Sequence, residues 1–171
     1  ISLSPELPLV LAVNPTLSAQ ERTDGKAFRD GEYEYPDESS VEVARKQGVL
    51  YRGLNRATVE KVMRRNPDGS LTLFPQKNMS GQVTSVSMSP YRFVAWDYAT
   101  RDYARGTSRH VDNSGLVLTI ANPDLSKAEA ENAEEVSFPS EVTIPAGQWQ
   151  LDLVSEFPTG NFADILKDFE S

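Results

Sequence analysis

Thr84-Ser85-Val86-Ser87-Met88-Ser89-Pro90-Tyr91 is the stretch where this chain turns from strand to helix. The run Gly81-Gln82-Val83-Thr84-Ser85-Val86 reads as a strand. Ser89-Pro90 then reads as a helix start. Serine stands at the N-cap, and proline at the first helical position, where its missing N–H costs nothing. The helix carries Tyr91, Val94, Ala95 and Tyr98 along one stripe and is expected to end near Tyr103, before Gly106.

Upstream, residues 41–47 form a short helix candidate between Ser40 as cap and Gly48 as stop. Val49-Leu50-Tyr51 reads as a strand running into Arg52-Gly53. Asn55 is expected to cap a further helix with Val59, Val62 and Met63 on one face. Asn66-Pro67-Asp68-Gly69 is a strong turn before a short strand, Leu71-Thr72-Leu73-Phe74. Downstream, residues 116–120 form a clear β run, and the acidic, alanine-rich residues 127–133 read as a helical turn or a loop. Residues 136–138, 142–144 and 149–154 read as three β segments, separated by Pro139 and by Pro145-Ala146-Gly147. The tail 161–169 fits one or two amphipathic turns. Helices in the first half and strands in the second indicate an α+β fold. Residues 1–40 hold Pro5, Pro8, Pro15 and Pro36 with Gly25 and Gly31, and read as an extended arm. Within it, residues 30–38 are rich in acid and tyrosine and read as a loop. The domain proper is then 41–171.

A chain of 171 residues fits one domain, able to bury roughly 70% of its unfolded surface. It holds no cysteine, which excludes disulfides, thiolate-bound zinc and a cysteine nucleophile. His110 is its one histidine, leaving no partner for a histidine-rich metal site. The net charge of −8 favours solubility and disfavours non-specific contact with nucleic acid or anionic membrane. Residues 7–13 are apolar, but too short to span a membrane and without the basic flank of a signal peptide. The start at Ile1 reads as an excised domain whose targeting signal lies elsewhere.

Three pieces carry chemistry. Arg52 ends an apolar run and is followed by Gly53; its planar, permanently charged fork suits phosphate oxygens. Ser85-Val86-Ser87 brings hydroxyls to a strand end, and shifting the motif one residue earlier, to Thr84-Ser85-Val86, keeps Ser85 in the set. Glu134-Glu135-Val136-Ser137-Phe138-Pro139 opens a third run with acids. In this order the pieces resemble the R-S-E pattern of mono-ADP-ribosyltransferases, the family of the cholera and pertussis toxin catalytic subunits. The resemblance spans residues 49–154. It implies two small, roughly orthogonal antiparallel sheets with NAD in the cleft between them. Arg52 would bind the NAD pyrophosphate, and Gly53 would let the backbone approach the nicotinamide amide. Ser85 and Ser87 would order the site, Ser85 by bonding the catalytic glutamate, while Ser89 serves as a helix cap. Glu135 would be that glutamate. Glu141, with Val142-Thr143-Ile144-Pro145-Ala146-Gly147 behind it, is a rival, and so is Glu134.

Two departures qualify the resemblance. Val86 stands where the family has a threonine. Ala133 stands where many members carry a second acid or amide that helps handle the acceptor; Glu131 would reach the site if the strand extended back. The expectation is a toxin or effector domain, secreted or translocated and acting in a target-cell cytoplasm. It would be a monomer with no metal, acting away from membranes, with a delivery scaffold or inhibitor protein as a further partner. NAD is the co-substrate, and the acceptor is a macromolecule, with protein favoured over nucleic acid. The rivals are an NAD glycohydrolase, which Ala133 favours, and a catalytically silent binding module of the same fold.

Overall fold

The computed structural model describes residues 11–13, 17–54, 62–75, 80–100 and 114–155. Their centre is the pairing of three strands, β2 (Val49–Leu54), β6 (Ser114–Ala121) and β10 (Trp149–Ser155). β6 lies between the other two and is antiparallel to both. β1 (Leu11–Val13) adds to β10 in parallel, giving the order β1-β10-β6-β2. A strand sends alternate side chains to opposite faces. On β6, Leu116, Leu118 and Ile120 therefore join one buried cluster and Val117 another. On β2, Leu50, Arg52 and Leu54 are all buried on one face.

Helix α3 (Arg92–Thr100) covers the opposite face of this sheet, with Ala95, Trp96 and Ala99 against Val117 and Val154. It can approach closely because β2 and β6 present Gly53 and Gly115 there. A Cβ on Gly53 would lie 2.0 Å from the Ala95 carbonyl oxygen, and one on Gly115 would lie 2.1 Å from that of Ala99. The helix buries nearly its whole circumference rather than one stripe, as a central helix does. It begins at Arg92, two residues later than Pro90, because the Ser89 hydroxyl accepts from the Tyr91 N–H and holds residues 89–91 as a turn. Tyr91 is consequently off the helix.

Two further sheets stand beside the first. One has the order β3-β4-β9, from β3 (Met63–Arg65), β4 (Leu71–Leu73) and β9 (Val142–Ile144). The turn before β4 forms as its residues dictate: Gly69 adopts φ +87°, Asp68 accepts from the Ser70 N–H at 2.9 Å, and Asn66 donates to Ser70 and Thr72. The other has the order β5-β8-β7, from β5 (Val86–Met88), β8 (Val136–Phe138) and β7 (Glu129–Ala130). The described chain is thus α+β, with three small sheets where two were expected, antiparallel apart from the β1–β10 pair. The strand expected over 81–86 starts later, at Val86, and within residues 127–133, read as a helical turn or a loop, residues 129–130 form a strand. Met63 lies in β3, not on a helix face.

The arm is also corrected. Ser18 and Glu21 form a capping box that starts α1 (Ala19–Arg29), so residues 19–29 are helical and not extended. α1 packs on α3: Phe28 lies 6.2 Å from Phe93 between ring centres, Arg92 binds Glu21 at 3.2 Å, and Arg29 approaches the buried Asp97 at 3.7 Å. α2 (Ser40–Gln47) forms and stops at Gly48, which adopts φ +72°, as expected, but its cap is Ser39 and not Ser40. The expected boundary between 40 and 41 therefore falls inside α2. The helix start at Asn55, the end of α3 near Tyr103, His110 and the tail 161–169 lie outside the described residues.

Candidate functional site

β2 and β5 belong to different sheets and touch at one backbone bridge. Tyr51 and Ser89 exchange N–H···O bonds of 2.7 and 2.8 Å. Alternation on β2 turns Arg52 toward the inside, on the face of Leu50 and Leu54, so it is 9% exposed and not a surface arginine. Its Nη1 donates to the Ser87 carbonyl across the sheet junction. Its Nε is buried without a partner. Burial lowers its pKa to about 10, and the neighbouring Glu135 charge acts the other way. A buried N–H with no acceptor costs free energy, so this edge of the guanidinium is poised to take an oxygen.

Opposite Arg52, residues 131–135 form a tight loop between β7 and β8. The Asn132 side-chain oxygen accepts from the N–H groups of Glu134 and Glu135, at 3.0 and 2.7 Å. The Glu135 carbonyl accepts from the Glu131 N–H at 3.0 Å and from the buried Ser40 hydroxyl of α2 at 2.7 Å. The Glu134 carbonyl accepts from Ser89 Oγ at 2.6 Å. Three elements therefore hold one loop, which fixes the direction of its side chains before any ligand arrives.

Glu135 is half-buried, and its Oε1 accepts from the Tyr98 hydroxyl of α3 at 2.8 Å. Its pKa is raised to about 7, first by burial and then by Glu131 and Glu134; the Tyr98 hydrogen bond pulls the other way. The Glu131 carboxyl lies close enough to Glu135 to favour a proton on it. Glu131 in turn accepts from Ser87 Oγ at 3.0 Å. Arg52 offsets little of this, since Glu135 stays raised beside it. Glu134 points elsewhere: Tyr35 donates to its Oε2 at 2.7 Å, and Tyr35 stacks edge-on with Tyr33 and Tyr91.

The structure thus brings Arg52, Ser87, Glu131, Glu135 and Tyr98 to one place. Ser85 is not among them. The β5–β8 register pairs Ser87 with Ser137 and Met88 with Val136, so the next row sets Ser89 opposite Glu135. Ser85 precedes β5 and lies roughly 13 Å of strand from that row. The hydroxyls that reach the loop are Ser87 and Ser89. Ser89 does not cap α3, since its hydroxyl accepts from Tyr91 ahead of the helix; it ties the loop and bridges the sheets. Gly53 has a different role from the one expected of it. Its missing side chain makes room for the α3 backbone, on the face away from Arg52. Glu141 is exposed between β8 and β9.

Sequence reasoning missed Tyr98, Asn132 and Ser40. Tyr98 read as one of a helical aromatic stripe, which usually means core. Asn132 carried a usable signal, since asparagine bonds backbone N–H groups two and three residues on. Ser40 read as a cap, a role that Ser39 fills.

Among the described residues no group of histidine and acid side chains is placed to hold a metal ion, and no helix is long and apolar enough to cross a membrane. Comparison with protein-family models, with curated proteins and with solved structures finds no match for this chain.

Proposed function

We propose that this chain is the catalytic domain of a mono-ADP-ribosyltransferase, moving ADP-ribose from NAD to a macromolecule and releasing nicotinamide. One observation carries the reading. An inward-facing arginine at a strand end, a hydroxyl of the neighbouring strand and a carboxylate pair converge where two sheets meet. That arrangement supplies what the reaction needs. In it the bond between nicotinamide and ribose breaks, the electron pair leaves with nicotinamide, and positive charge develops on the sugar. Glu135 as an anion, hydrogen-bonded to a ribose hydroxyl, would stabilise that charge. Arg52 would offer its unpartnered Nε to a phosphate or ribose oxygen.

Glu131 supports transfer over hydrolysis. Ala133 removes the usual acid two residues before Glu135. The tight loop returns one from four residues back and sets it against Glu135. A second carboxylate there can take the proton that the acceptor loses as it attacks the sugar carbon. The net charge of −8 favours a protein acceptor over nucleic acid. The setting is that of a secreted or translocated toxin or effector acting in the cytoplasm of another cell.

The test is incubation with NAD labelled in its adenylate half and whole-cell lysate, followed by protease or nuclease digestion. Label that survives nuclease and is released by protease supports the reading. Nicotinamide release with no labelled macromolecule in any lysate replaces it with NAD glycohydrolysis. Neither product makes the domain a silent binding module.

A further inference from the structure

Resting on that reading, we infer that Tyr98 is a positioning residue for the reaction: its hydroxyl holds the Glu135 carboxylate in place and favours its ionised form against the pull of Glu131 and Glu134.

The placement is stiff on both sides. Tyr98 rides on α3, whose backbone is pressed against Gly53 and Gly115 with no room for even a methyl group. Glu135 hangs from a loop pinned by Asn132, Ser40 and Ser89. The 2.8 Å bond between them joins two parts that cannot drift apart cheaply. Tyr98 also remains a donor at every working pH. Burial and the Glu135 charge raise its own ionisation well above the ordinary tyrosine range, with Glu134 and Asp97 adding to the effect.

The charges around Glu135 explain why such a donor is needed. Its own loop contributes Glu131 and Glu134, both of which favour a proton on Glu135. From β2 comes Arg52, whose Nη1 is turned to the Ser87 carbonyl. β5 supplies the Ser87 hydroxyl, which goes to Glu131 and not to Glu135. α2 supplies Ser40, which reaches only the Glu135 backbone. Among the described residues the Tyr98 hydroxyl is the side-chain donor that bonds the Glu135 carboxylate directly and so favours its ionised form. Glutamate needs to be the anion in the transition state. The residue that keeps it so therefore sets the acid limit of activity.

Tyr98→Phe removes one oxygen and keeps the ring. Two readouts test the inference. In protein labelled with ¹³C at glutamate carboxyls, with the Glu135 signal assigned through Glu135→Gln, the Glu135 midpoint in Tyr98→Phe should lie about one pH unit higher than in the parent. The acid limb of nicotinamide release should move with it. Activity would then fall about tenfold at pH 6 and largely recover by pH 9. Adding Glu131→Gln to Tyr98→Phe should bring the Glu135 midpoint back down, because the competing carboxylate is gone. A folded Tyr98→Phe with an unmoved Glu135 midpoint, or with activity reduced equally at all pH values, overturns the inference. If the parent protein neither transfers nor hydrolyses, the enzymatic reading fails by itself. The carboxyl titration still decides whether Tyr98 governs Glu135.

Discussion

Glu135→Gln should stabilise the fold at alkaline pH while disabling the site. The carboxyl is raised from 4.5 to about 7 in the folded protein. A proton is therefore bound more tightly in the folded state than in the unfolded one. The associated stability is fully present below about pH 4.5, is lost as pH rises through about 7, and stays lost above it. Taken at face value the shift is worth about 3 kcal/mol. Glu135 keeps contact with solvent, so about 1–2 kcal/mol is the expected penalty. Glutamine cannot ionise, occupies nearly the same volume and still accepts from Tyr98. Urea unfolding followed by tryptophan fluorescence should give matching stabilities near pH 4.5. By pH 8 the variant should be ahead by about 1–2 kcal/mol, or about 2–8 °C in Tm for a domain of this size. Transfer should meanwhile drop by about 10²–10³. A variant less stable than the parent at pH 8, or a gap that does not widen between pH 4.5 and 8, would refute the account of Glu135 as a carboxyl held under strain by burial and by its neighbours.

Three more outcomes are open to measurement. Arg52→Ala should cost about 1.5–3 kcal/mol of NAD binding by calorimetry, and Arg52→Lys should recover only part, since the fork is lost; unchanged affinity removes Arg52 from the substrate site. Gly53→Ala places a methyl carbon 2.0 Å from the Ala95 carbonyl oxygen and 2.8 Å from the Ala99 nitrogen, both backbone, so denaturation should show a loss of about 3 kcal/mol. A Gly53→Ala protein as stable as the parent would mean that α3 is not seated so closely. Ser87→Ala should slow turnover by freeing Glu131, while Ser85→Ala should stay within about twofold of the parent; the reverse ranking would place the β5–β8 register two residues from where it stands.

The fold was legible where punctuation and period agree. The Asn66-Pro67-Asp68-Gly69 turn, the Gly48 stop and the β2, β6 and β10 runs all stand where the residues put them. The arm was misread because four prolines and two glycines were weighed above Ser18 and Glu21, whose side chains cap α1 reciprocally and outvote the buried Gly25 inside it. Of the third sheet only β8 was legible where it stands, and its pairing was not. Its strands are two or three residues long, and pairing between segments some fifty residues apart leaves little mark on such short runs.

The site was legible in its residue types and not in its register. Ser85, Ser87 and Ser89 recur at every second position, so all three face one way from an extended chain, and nothing local distinguishes them. The choice is made by Val86 and Met88, which go into the core and pair with Phe138 and Val136. Apolar burial on two strands thus decides which hydroxyl meets which acid. The same alternation decides Arg52. It occupies a position in β2 where Leu50 before it and Leu54 after it are core, and a charged fork there breaks the pattern of its own strand. Glu135 breaks the rule a second way, as an acid half-buried among acids. Arg52 is met by the Ser87 carbonyl, and Glu135 by Tyr98 and a loop pinned by Asn132, Ser40 and Ser89, none of which an apolar residue would need. Local rules broken on two elements, at positions near enough for their charges to act on each other, are the physical reason to seek the chemistry at this junction and not elsewhere on the chain.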